Sequence, residues 1–427
     1  MLRVAAIAAA GGLAVALYML LKRRKQAALL TTETVTAYVA EQLGGSNAVL
    51  TPSRPLTATE IGDGNLNYAW CVAEVGDRSR AVFVKQAPGF IKCLGEDFKL
   101  GAERLLVESE VLGEYTATAP GLVPAIIARD VQRFTMITEF LHGHELMRTA
   151  LRSGHGNPRA AADVARFMAR THARTHVKAS DAAGAERWSH LTNDSMCGIT
   201  AEFVFSKPLD AADGTNRCSG GVSEAAAALR ADAQLVAAVA ALRTTFLTRK
   251  ECLVHGDLHT GSVMVPAGGA DGPAKVIDAE FAHFGCAAFD VGTFVANLLF
   301  SRVAAESAAD KAQLERMMRD VWATYLASLN GAQPDVLSAA GAVEELCDLT
   351  AGFCGIELIR RTIGAAHVDD IEKLEPEARK SRAERACLSV GQLLVREGAK
   401  GLRGDRLLVQ EFEALVTLAV GMIDGQK

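Results

Sequence analysis

Apolar residues in the first third of the chain fall in short alternating runs at positions 57–61, 68–75 and 80–84, divided by Gly62-Asp-Gly-Asn-Leu-Asn67 and Gly76-Asp77. A period of two with turn residues between the runs predicts consecutive antiparallel strands. Helical spacing appears at 103–115, and apolar runs at 122–127 and 134–140 predict two more strands. From Ala160 onward the period lengthens, and Ala- and Leu-rich helices are predicted over 160–176, 223–247, 311–329 and 343–363. A short helix over 32–43 precedes the strands, with Thr31 or Thr32 as its N-cap and Gly44-Gly45 as its stop. The composition shift near Leu141 separates a small sheet-bearing region, 31–140, from a large helical one, 141–427. Residues 181–221 are weakly periodic, and Ala267-Gly-Gly-Ala-Asp-Gly272 reads as a turn between two strands.

Residues 4–21 carry no charge and end at Lys22-Arg-Arg-Lys25. That run is just long enough to cross a bilayer as a helix, and basic residues behind it would keep the body of the chain on the cytosolic side. Residues 1–30 are therefore expected to form a membrane anchor with a basic flank; a transit sequence or an extension missing from the mature chain are the alternatives. The remaining composition narrows the function classes. At 427 residues and 49% hydrophobic the chain buries a large core, and 45 basic against 50 acidic side chains leave no nucleic-acid footprint. Nine cysteines without a C-x-x-C pair read as reduced, mostly buried thiols. His172 and His176 lie one helical turn apart, but no carboxylate completes an H-E-x-x-H pattern and Arg170 and Arg174 flank them, so they read as structural.

The chemistry concentrates in Leu253-Val-His-Gly-Asp-Leu-His-Thr-Gly-Ser262 and Val276-Ile-Asp-Ala-Glu280. Asp257 is a candidate base for a hydroxyl proton. Asp278 and Glu280, two apart at a strand end, are expected on one side, where with Asp257 they would form three carboxylates converging on Mg²⁺. Gly62-x-Gly64-x-x-Asn67 between strands suits a phosphate-holding loop, with Asn67 in a place where a left-handed backbone is tolerated. Lys85 ends the third strand, and Glu108 on the next helix is placed to pair with its ammonium group. Ser262 is a poor metal ligand, which points to Glu280 for part of that task. His255 is expected to brace its loop, His259 to be a satisfied polar residue, and Asp290 to fix neighbouring backbone amides.

Together with Glu60-Ile-Gly-Asp-Gly-Asn-Leu-Asn-Tyr68, Lys85-Gln-Ala87, Gly95-Glu96, Glu280-Phe-Ala282, Glu357-Leu-Ile-Arg-Arg-Thr-Ile-Gly364 and Ala366-His-Val368, these motifs resemble the 5-methylthioribose kinase family. That family is of the aminoglycoside-phosphotransferase and choline-kinase type, and the resemblance runs from about Thr31 to Val416. It implies an α+β, bilobal protein-kinase-like fold with a small antiparallel-sheet N-lobe and a large, mostly helical C-lobe, here preceded by the N-terminal apolar helix. It implies ATP- and Mg²⁺-dependent phosphorylation of the 1-hydroxyl of 5-methylthioribose in methionine salvage. On this match Asp257 is the base and touches the sugar, and Asp278 and Glu280 hold Mg²⁺. Gly62, Gly64, Asn65, Asn67 and Lys85 contact the nucleotide, and residues 136–140, including Glu139, lie near the adenine. Arg360, Arg361 and Phe98 belong to the sugar site. Read from helix geometry alone, Arg360 and Arg361 point roughly 100° apart, so at least one is expected on the surface. Phe98 and Ala279 depart from the family's usual Trp and Pro. Family members are often homodimers. The competing readings are a kinase of the same fold for an aminoglycoside, choline or homoserine, and a membrane-tethered nucleotide-binding pseudokinase.

Overall fold

The β-branched and aromatic runs of the first third form one antiparallel sheet. The computed structural model describes residues 28–44, 49–51, 53–62, 66–402 and 412–425. Strands β1 (Leu56–Glu60), β2 (Tyr68–Glu74), β3 (Asp77–Gln86), β6 (Ile126–Asp130) and β7 (Thr135–Glu139) lie in the order β1-β2-β3-β7-β6, while β4 (Phe90–Ile91) and β5 (Gly95–Lys99) make a separate hairpin. The pattern of apolar positions gives no sign of that hairpin, because Phe90-Ile91 is too short to show a period. The strand expected at 122–127 starts only at Ile126: Pro124 has no N–H to donate, and the Leu122 carbonyl accepts instead from Val276 N. The first helix is Val35–Leu43, shorter than expected, and its N-cap Thr34 makes no side-chain capping bond. This helix covers one face of the sheet, with Val35, Tyr38 and Val39 packed into a core with Trp70, Val72, Val82, Val84 and Ile137. Leu30, assigned above to the anchor segment, belongs to that core, and its N–H donates to Gln86 Oε1 at 2.8 Å. The apolar run 4–21 lies outside the described residues. Among the described residues, Ala287–Ala304 is long and apolar enough to cross a membrane, and it is buried as a core helix.

The chain divides into two compact units, one of residues up to Ser109 with Ala125–Phe140, the other of Glu110–Pro124 with Leu141–Lys427. Residues 110–124, expected with the sheet, therefore pack with the helical unit. Tyr115, for example, stacks edge-on against Phe167 at 4.9 Å between centroids. In this second unit the helices Pro158–Thr175, Ala308–Ala332, Ala342–Ile363 and Glu377–Leu402 carry most of the mass. The helix predicted over 223–247 is two, Ser223–Ala231 and Ala233–Thr248, bent by 75° at Asp232. The Asp232 carboxylate accepts from the Gln234 and Leu235 amides, so this residue starts a helix instead of continuing one. Phe205, Phe246, Phe289 and Phe353 pack ring to ring at the centre. Residues 181–221 form short helical turns with irregular links, which accounts for their weak periodicity. All nine cysteines are free, and six are buried.

Two histidines of the second unit are buried without charge. Burial lowers the pKa of both His176 and His283 to about 4, and His283 Nδ1 donates to the Phe281 carbonyl at 3.0 Å. In the unfolded chain both titrate near 6.5. Between these values the unfolded chain binds more protons, so these residues add stability as pH rises from about 4 to about 6.5 and lose it as pH falls. The urea midpoint should therefore climb across this window, and His176→Gln should flatten the climb; an unchanged slope in that variant would remove His176 from the account.

Candidate active site

A buried carboxylate builds the loop that carries Asp257. Strand Cys252–Val254 pairs with His283–Gly285 and leads into His255 and Gly256, whose amides both donate to Asp290, at 2.7 and 2.9 Å. Asp290 is also 3.3 Å from His172 Nε2, and His172 Nδ1 meets the Tyr325 hydroxyl at 2.9 Å. Burial pushes the Asp290 pKa up, but the hydrogen bond and charge of His172 and the His255 contacts outweigh it, and the group lies below its ordinary value. The structural roles expected of His255, Asp290 and His172 are those observed. Gly256 has φ +83°, and a Cβ there would stand 2.2 Å from the Phe281 carbonyl oxygen, so the loop closes on residues 278–281 only with glycine. Ser262 Oγ donates to the Asp257 carbonyl at 3.0 Å; the serine braces the loop.

The hairpin Val263–Pro266 with Lys275–Val276 presents Asp278, as the sequence predicted, but the strand ends at Val276. Ile277 is pinned at both ends, its N–H donating to the Ser262 carbonyl at 3.0 Å and its carbonyl lying 3.0 Å from His255 Nε2. Asp278 then adopts φ +68°, a left-handed conformation that is costly for a non-glycine residue and clusters at functional positions. The period of two therefore does not carry through: Asp278 is exposed and Glu280 is 2% exposed. Among the described residues no three His, Cys, Asp or Glu side chains form a metal-binding group, which corrects the expected convergence of Asp257, Asp278 and Glu280. Mg²⁺ needs fewer protein ligands than that, since it commonly takes one or two carboxylates and completes its shell with phosphate and water. The exposed carboxylate of Asp278, held in a strained conformation, fits such a site.

Around Asp257 the second unit assembles positive charge. Arg360 and Arg361, expected to diverge, both turn onto Glu357. Arg360 reaches its two carboxylate oxygens through Nε at 2.5 Å and Nη2 at 2.9 Å, and Arg361 Nε donates to Oε1 at 3.0 Å. Glu357 lies three and four residues before them on the helix Ala342–Ile363, the spacing at which side chains meet, and both arginine side chains are 11% exposed. Burial raises the Glu357 pKa, but the two arginines outweigh it and keep it ionised; burial and the neighbouring Arg361 lower that of Arg360. Arg360 Nη2 is 3.8 Å from Asp257 Oδ1, and His259 Nε2 is 3.6 Å from Oδ2. Arg148 completes the cluster, 3.2 Å from Asn297 Oδ1, 3.4 Å from His259 Nδ1 and 3.5 Å from Asp370 Oδ2. Sequence reasoning assigned no role to Glu357 or Arg148. The i−3/i−4 spacing held the signal for Glu357, while Arg148 is 111 residues from His259 and only folding joins them.

The first unit holds the other predicted residues. Lys85 and Glu108, both nearly buried, pair at 2.7 Å, as the sequence predicted. Gly62 lies in a turn after β1, and Gly64 and Asn65 lie outside the described residues. Asn67 is buried with a negative φ, so left-handed tolerance is not its role. Its Oδ1 accepts from Arg104 Nη2 at 3.0 Å, and the same buried guanidinium donates to the carbonyls of Leu66, Pro88, Leu100 and Gly101, tying the loop end to the hairpin. Glu139 closes β7, its Oε1 accepting from Ala125 N at 3.0 Å. Phe98 stands on β5 with 52% exposure.

Residues 57–328 match the phosphotransferase enzyme family. The chain is 34% identical over 365 residues to the methylthioribose kinase of Yersinia pseudotuberculosis, covering 81% of this chain and 88% of that protein. It is 32% identical over 376 residues to the methylthioribose kinase of Bacillus pumilus, covering 86% and 92%. The chain belongs to the methylthioribose kinase family. The family's fold is seen again in the crystal structure of choline kinase from Cryptosporidium parvum, with a TM-score of 0.53 at 14% identity, covering 88% of this chain and 99% of that one.

Proposed function

We propose that the chain transfers the γ-phosphoryl group of ATP to the 1-hydroxyl of 5-methylthioribose, giving 5-methylthioribose 1-phosphate and ADP. The observation that carries this reading is the arginine pair drawn together by Glu357 beside the Asp257 carboxylate, within a chain of this family. Asp257 accepts the hydroxyl proton as that oxygen bonds to the γ-phosphorus and the bond to the β-phosphate oxygen breaks. Arg360 and Arg361 bind the sugar's oxygens, and Phe98 supplies an aromatic cover. Lys85, held by Glu108, contacts the phosphates; Gly62, Gly64, Asn65 and Asn67 shape the loop along them, and the β7 segment with Glu139 adjoins the adenine. Asp278 would hold Mg²⁺, which when bound neutralises phosphate charge.

The test is a screen of the full chain with Mg²⁺ and ATP against 5-methylthioribose, ribose, choline, homoserine and an aminoglycoside, following ADP release and the phosphorylated product by ³¹P NMR. Product is expected with 5-methylthioribose and not with the amino alcohols. Turnover with choline or an aminoglycoside alone overturns the acceptor, and absence of turnover with every alcohol overturns the kinase reading.

A further inference from the structure

His259 contributes more than a satisfied ring. Its Nδ1 accepts the Gly261 amide proton at 2.9 Å, and Arg148 Nη2 lies 3.4 Å from the same nitrogen. An amide N–H and a guanidinium can only donate, so Nδ1 keeps its lone pair and the ring proton resides on Nε2. That nitrogen faces Asp257 Oδ2 at 3.6 Å, while Arg360 stands 3.8 Å from Oδ1 on the other side of the carboxylate. Gly261 makes the arrangement possible, because a Cβ there would lie 2.8 Å from His259 Cε1 and 2.9 Å from Nδ1. The Asp257 backbone is tied separately, through Ser262 Oγ to its carbonyl at 3.0 Å and through its amide to His255 Nδ1 at 3.3 Å.

We propose that His259, as the Nε2–H tautomer, is a positioning residue that donates to Asp257 Oδ2 and holds the carboxylate turned toward the acceptor hydroxyl. The proposal rests on Asp257 being the base. At 3.6 Å the contact is longer than a hydrogen bond, and contacts of this kind tighten when substrate fills the site. A neutral donor suits the task, since a second cation against the carboxylate would weaken it as a base. Burial, with Arg148 and Arg361 alongside, holds the ring's pKa well below its ordinary value and so keeps it uncharged.

Two substitutions separate this role from a structural one. Glutamine places an amide N–H near the position of Nε2, whereas asparagine places a carbonyl oxygen near that of Nδ1, where the Gly261 amide needs an acceptor. In the full chain with Mg²⁺, ATP and 5-methylthioribose, His259→Asn should keep the urea midpoint and both KM values but lose roughly tenfold to a hundredfold in kcat. His259→Gln should recover most of that loss. The reverse ranking, equal losses in both variants, or wild-type kcat in His259→Asn overturns the proposal. Asp257→Asn, assayed beside them, keeps the two readings apart. If it retains kcat, the base assignment itself fails; if it is inactive while His259→Asn is fully active, only the positioning role fails.

Discussion

Replacing Asp257 with alanine should lower kcat by about 10²- to 10⁴-fold, the range set by removing a general base, while ATP still binds. The carboxylate lies where an arginine and a histidine approach its two oxygens, and among the described residues no group of three His, Cys, Asp or Glu side chains is gathered around it. Two carboxylates of the same unit are committed elsewhere: Glu357 is engaged with both arginines and Asp290 with the loop amides. Steady-state ADP release gives kcat, and titration calorimetry with ATP reports whether binding survives. A variant that binds ATP and turns over at the wild-type rate would remove Asp257 from the reaction.

Replacing Glu357 with alanine should cost about 3–5 kcal/mol of stability, because it leaves two buried guanidinium groups facing each other without a counter-charge. The same change should raise KM for the sugar, since Arg360 and Arg361 owe their common direction to this carboxylate. Glu357→Gln keeps the shape and one acceptor oxygen, so its loss should be smaller. Urea unfolding measures the stability and sugar titration the KM. An alanine variant within about 1 kcal/mol of wild type would mean that solvent reaches and screens the pair, which would rank it with surface ion pairs.

Most elements of the fold were legible from periodicity. The sheet strands, the Lys85 and Glu108 pairing and the hairpin before Asp278 follow from runs whose burial and turn residues agree with one another. The departures occur where one residue overrules its surroundings. Asp232 caps a helix inside an Ala-rich stretch, Pro124 delays a strand, and Asp278 leaves the extended backbone just where the alternating pattern calls for it to continue. Asn67 is fixed by a contact its loop does not announce, since its partner Arg104 lies 37 residues away.

What the residues pointed to by themselves is a type of chemistry: a candidate base, candidate acidic ligands, a glycine-bearing loop followed by a lysine, and a double arginine, each recognisable because local spacing and side-chain type set what it can do. Only the tertiary structure decided how these groups are aimed. Glu357 gathers the arginines, Asp290 holds the loop from a helix some thirty-five positions further on, and Arg148 with Gly261 settles which nitrogen of His259 carries its proton. Direction and protonation depend on charges and hydrogen bonds that reach a buried side chain from remote parts of the chain, and those neighbours exist only once it has folded.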